Sequence, residues 1–172
     1  DGTIQKVIPT LRGVGLTNAR SRIQIDRYSA LQGKGIGIEY LDKNNCFAGW
    51  KTLFSKSNTA LIYNKVDFGN EKVVEITVRA KSAKGGVLVV RADGTKGNII
   101  AKVKIPRSAA WKNVRAQVLH APQGVHALHV SLQSGADVEV DWIGFDGMPS
   151  MSQTRKASSM AITTDCCVSS PS

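Results

Sequence analysis

The chain has little cysteine: three residues in 172, with Cys46 alone and Cys166 beside Cys167. Adjacent cysteines bridge only with strain, because their Cα atoms lie closer than disulfide geometry prefers. Neither a disulfide framework nor a zinc-ligand spacing is present, so the fold must rest on its core, and the chain is long enough to bury one. No run approaches the roughly 18 apolar residues that a membrane-spanning helix needs, which argues against membrane insertion. The opening residues, Asp1 to Lys6, carry no apolar signal segment, and the expectation is a piece excised from a longer protein. A nucleophile elbow, a metal-binding helix motif and a phosphate-cradling loop are also missing. Gly94-Thr95-Lys96-Gly97 comes nearest to the last, but it stands in a hairpin context and lacks the spacing and the helix. An enzyme reading has few candidates to work with.

Acidic residues are outnumbered, 13 against 23 Lys and Arg, for a net charge of +10. Such a field attracts polyanions. The basic residues are nevertheless scattered singly, as at Lys34, Lys43, Lys51 and Lys56, and form no dense nucleic-acid arm. Nucleic acid is not the expected partner; an anionic polysaccharide remains an alternative one.

What the chain does have is period-2 alternation. Strands are predicted at residues 23–28, 60–66, 73–80, 86–92, 99–105, 113–119, 126–132 and 138–145, separated by turn signals such as Phe68-Gly69-Asn70, Asp93-Gly94 and Pro122-Gln123-Gly124. In Val73 to Arg79, Val74, Ile76 and Val78 share one face while Glu75, Thr77 and Arg79 share the other, the pattern of a half-buried antiparallel strand. Helical spacing describes none of these segments. The expected fold class is all-β: a β-sandwich or jelly roll of two antiparallel sheets. By this reading the domain starts near Arg22 and ends at Asp146, and the Ser, Thr and Met that follow, residues 147–172, form a linker or disordered tail. Trp142 shares an alternating apolar face with Val138 and Val140 and is expected in the core.

Five segments, in order, carry a resemblance. Arg22-Ile23-Gln24-Ile25-Asp26-Arg27-Tyr28, Tyr63 to Gly69, Val78-Arg79-Ala80 with Gly85-Gly86, Gly124 to Leu128, and Val140-Asp141-Trp142-Ile143-Gly144-Phe145 resemble the family 6 carbohydrate-binding modules and span most of residues 22–146. The resemblance implies a non-catalytic, monomeric module that grips sugar by stacking rings on aromatic side chains. Sugars present apolar C–H faces to such rings and need directed hydrogen bonds for their hydroxyls. By position Trp50, after Gly49, and Trp111, after Ser108-Ala109-Ala110, resemble the family's stacking aromatics, and both fall in segments read as loops. Glu39 falls where the family often has a sugar-binding glutamate. Glu139 stands where many members have Asn; an ionised Glu only accepts, whereas Asn also donates. Gln24, Asp26 and Asp141 resemble the residues that surround a structural calcium, and hard oxygen ligands suit Ca²⁺.

Asp1 to Thr10 is similar to the segment leaving the catalytic domain of a family 43 glycoside hydrolase, which makes residues 1–21 a leader from an upstream domain. The parent implied is an arabinofuranosidase or xylosidase acting outside the cytoplasm, whether secreted, periplasmic or at the cell surface. Its polysaccharide would be xylan, arabinoxylan, arabinan or a related β-glycan. A structural spacer that binds nothing is the remaining alternative.

Overall fold

The structure is a computed structural model describing residues 15–147. Residues 1–14, which hold most of the expected leader, and residues 148–172, with Cys166 and Cys167, lie outside the described residues. Among the described residues twelve strands form two sheets: β1 Thr17–Asn18, β2 Ile23–Gln24, β3 Ala30–Gln32, β4 Ile36–Asp42, β5 Asn45–Phe54, β6 Thr59–Asp67, β7 Glu75–Ser82, β8 Gly86–Ala92, β9 Ile99–Ile105, β10 Ser108–Gln117, β11 Val125–Gly135 and β12 Val138–Asp146. The first sheet runs β1-β6-β11-β8-β9 with β3 also on β6; the second runs β10-β7-β12-β5-β4 with β2 on β12. Pairing is antiparallel except for the two-residue bridge of β1 to β6. The architecture is the all-β sandwich expected from the alternation.

The alternation explains the core. On β7, Ile76, Val78 and Ala80 are buried, and they meet Leu61, Leu88, Val90, Leu128, Val130 and Leu132 from the facing sheet. Each such side chain contributes about 1.5–3 kcal/mol relative to exposure. Tyr63 is the polar exception: its hydroxyl donates to the Ile25 carbonyl at 2.6 Å, which satisfies the buried phenol and ties β6 to the chain after β2. Burial raises that phenol well above the ordinary tyrosine range. At Gly135, φ is +93° and a Cβ would collide with the Gly85 carbonyl, so only glycine fits where β11 closes against β8.

The start of the domain and two of its strands differ from the sequence expectation. Ala19 is fully buried in the core, donates its N–H to Asp67 O and accepts from Phe145 N–H, so the sandwich begins before Arg22. A two-residue parallel bridge leaves too short a pattern to read. β4 and β5 were not anticipated either, and they move Trp50 out of a loop and into a strand.

Candidate glycan-binding face

The second sheet shows its outer face to solvent, and a β-bulge in β12 determines what stands there. Before the bulge, Val138 and Val140 pair with Ser82 and Ala80 and point inward; after it, Ile143 and Phe145 pair with Val78 and Ile76 and take over that role. The extra residue turns Trp142, opposite Arg79, to the outer face. Trp142 is thus buried as expected, but on the outer face and not beside Val138 and Val140. Trp142 retains 9% exposure and lies outside the core cluster; its ring is covered by the Arg22 guanidinium, 4.8 Å from the centroid. The signal was in the sequence: the apolar positions change from even numbers, 138 and 140, to odd, 143 and 145, which a period of two cannot do without an inserted residue.

Trp50 stacks on its cross-strand partner Tyr40 with ring centroids 4.2 Å apart and is 42% exposed. Trp111 lies in β10 within an irregular stretch between Ser108 and Lys112, with Arg79 and Lys81 at 5.6 and 5.5 Å from its ring centroid. One hollow of about 370 Å³ brings together Trp50, Trp142, Gln24, Asp26 and Asp141. A second is lined by Trp111, Trp142 and Asn113, and Arg22 and Arg79 line both. Trp142 thus joins the hollow of Trp50 to that of Trp111. Among the described residues, two hollows on the first-sheet side, one beside Tyr28 and Tyr63 and one beside Thr59 and Ser131, have no tryptophan in their linings.

Glu39 and Glu139 occupy the same sheet, bound to lysines. Glu139 accepts from Lys51 at 2.8 Å and pairs with Lys81 at 3.2 Å, and Glu39 stands 3.5 Å from Lys51. Neither carboxylate lines the hollows with the tryptophans. Through Lys81, Glu139 bears on the Trp111 ring from one residue away.

Gln24, Asp26 and Asp141 do meet in one hollow, as the resemblance implied, yet as placed they do not fit a calcium ion. Asp141 is spent on Arg79, Oδ2 to Nη1 3.1 Å, and Arg22 lines the same cavity. Burial raises the Asp141 carboxyl, with Arg79 and Arg22 opposing the shift and Asp26 adding to it. Two guanidinium charges stand where a divalent ion would supply its own, and one amide with two carboxylates is a thin donor set for an ion that takes six to eight oxygens. Among the described residues no group of three or more His, Cys, Asp or Glu is gathered for a metal.

Residues 30–147 match the family described as carbohydrate binding module (family 6). Among solved structures, the chain is similar to the module CsCBM6-3 from Clostridium stercorarium in complex with cellobiose, at 20% identity and TM-score 0.69, covering 78% of this chain and 99% of that one. It is also similar to a family 6 module from Clostridium cellulolyticum in complex with xylose, at 25% identity and TM-score 0.67, covering 76% and 99%. A third likeness is to a family 43 arabinoxylan arabinofuranohydrolase from Bacillus subtilis in complex with cellotetraose, at 17% identity and TM-score 0.69, covering 78% of this chain but 28% of that one. No curated protein sequence matches the chain. With the matched segment running from β3 to the end of the last strand, the chain belongs to the family 6 carbohydrate-binding modules and is a non-catalytic binding domain.

Proposed function

We propose that the module holds a glycan on the outer face of the second sheet, along the hollows from Trp50 past Trp142 to Trp111. The observation that carries this reading is the convergence of three indole rings with the polar groups of Gln24, Asp26, Asp141 and Asn113 on two connected hollows. The rings supply stacking surface for sugar C–H faces; the carboxylates accept and the amides donate to hydroxyls. Glu39 and Glu139 flank this site in the same sheet and hold Lys51 and Lys81 there, without lining the hollows themselves. The resemblance of the leader supports the wider setting: a family 43 glycoside hydrolase, exported from the cytoplasm and carried by this module to xylan, arabinoxylan or arabinan.

Affinity electrophoresis on xylan, arabinan, β-glucan and galactan tests it. Wild type is expected to be retarded by at least one of them. Trp50→Ala and Trp111→Ala, both outside the core, should each weaken binding about tenfold or more while leaving the fold intact, because each removes an aromatic platform. No retardation of wild type, or retardation unchanged in both variants, overturns the reading.

Calcium is left out of the proposal. Thermal unfolding with excess EGTA and with millimolar calcium is expected to give the same Tm, since Arg79 already answers Asp141. A rise of several degrees with calcium would show that the guanidiniums yield to the ion.

A further inference from the structure

A third hollow adjoins the proposed glycan face on its far side, where β10, β7 and β12 meet. In register across the outer face, Arg115 stands opposite Thr77, and Thr77 opposite Gly144. In the next row Asn113 stands opposite Arg79, and Arg79 opposite Trp142. Gly144 leaves the floor of this hollow of about 290 Å³ without a side chain. Packing does not demand a glycine there: a Cβ would meet nothing nearer than the Ser21 carbonyl at 3.5 Å, and no left-handed φ is required.

Three arginines and one carboxylate, Asp146, line it. Arg20 is matched by Glu71 at 2.6 Å, but Arg22 and Arg115 have no ion pair among the described residues, and both are exposed. A guanidinium keeps its charge at any ordinary pH and presents a planar fork that fits a carboxylate. Arg22 also lies over the Trp142 ring. A neutral sugar seated on that ring must displace this cation–π contact. A sugar bearing a carboxylate gives the displaced guanidinium a new partner.

We infer that this hollow is a subsite for an acidic sugar, in which Arg22 and Arg115 hold the carboxylate of a uronic acid residue whose ring lies toward Trp142. The inference rests on the glycan face proposed above and narrows its ligand to acid-bearing polysaccharide. Asn113, at the border with the Trp111 hollow, supplies an amide for neighbouring hydroxyls.

The test compares glucuronoxylan and polygalacturonate, each with its carboxyl-reduced form, so that backbone and ring chemistry stay the same while the charge is removed. Wild type is expected to bind at least one acid form about fivefold more tightly than its reduced counterpart at low salt, the size expected of two exposed guanidinium contacts. High salt should erase that preference, because exposed charges are screened. Arg115→Met should abolish the preference and leave affinity for the reduced form unchanged. Gly144→Val, which fills the floor and leaves every charge in place, should do the same. Equal affinity for acid and reduced forms overturns the acidic subsite and leaves the glycan face standing. A preference that survives both Arg115→Met and Gly144→Val moves the charge recognition elsewhere and also overturns it, and binding to none of the four probes sinks the inference together with the reading beneath it.

Discussion

Phe145→Ala should destabilise the module by about 3–5 kcal/mol, the largest effect expected of any single substitution considered. Phe145 is fully buried on β12, a strand paired with β7 along its length and, on its other side, with β5 and β2. Its ring meets Phe68 edge to face with centroids 5.1 Å apart. Truncation loses the transfer free energy of the ring and leaves a cavity that the strands cannot close, because β12 is held from both sides. The backbone bond from Phe145 N–H to Ala19 O remains, so the loss is one of packing. Urea unfolding should show a lower midpoint at an unchanged m-value. Phe47→Ala is the control: that ring is 95% exposed near the β4–β5 turn and its removal should stay within about 0.5 kcal/mol. A cost below about 1 kcal/mol at Phe145 would mean that the two sheets do not close on this ring.

Where one face of a strand is buried and the other wet, the sequence carried the fold. β6, β7, β8, β9, β11 and β12 lie where alternation put them, within a few residues, because burial imposes a period of two on the apolar positions. β4 and β5 escaped for a physical reason. Ile38, Tyr40, Phe47 and Trp50 are exposed on that hairpin, so over β4 and the first half of β5 burial does not mark the apolar positions, and Gly35, Gly37 and Gly49 resemble loop punctuation. β1 and β3 are two and three residues long, below the length at which a period exists. The site was legible in part. Gln24, Asp26 and Asp141 were brought to one place by resemblance, but the electrostatic company of Asp141 was not, because Arg79 and Arg22 reach it from segments far from it in sequence. Likewise nothing local in Glu139 announces Lys51, 88 positions away.

That pair gives the second large effect: Glu139→Ala is expected to cost about 2–3 kcal/mol. Lys51 is only 9% exposed and is held by Glu139 at 2.8 Å, with Glu39 farther off at 3.5 Å. Removing Glu139 leaves a largely desolvated ammonium with its weaker partner, the situation in which breaking a buried pair costs most; the remaining Glu39 keeps the loss below the upper end of about 5 kcal/mol. Replacing both members with apolar groups, Lys51→Met with Glu139→Leu, should recover most of it, because the pair's own desolvation cost disappears with it. The pH dependence follows from the same contacts. Burial alone would raise the Glu139 carboxyl, but the hydrogen bonds and charges of Lys51 and Lys81 hold it below the usual glutamate range. Its contribution is therefore present above the unfolded value of about 4.3 and is lost as pH falls through the lower folded value. Burial alone would lower Lys51, yet Glu139 and Glu39 hold it above the ordinary lysine value. Its contribution is complete below about pH 10.4 and is lost only at higher pH. The stability gap between wild type and Glu139→Ala should accordingly be flat across neutral pH and narrow in acid. Glycan affinity measured on the same variants separates the two roles open to Glu139. If it acts by positioning lysine, the apolar double variant recovers stability and retains binding at Trp50; if it touches the sugar, stability returns and binding does not.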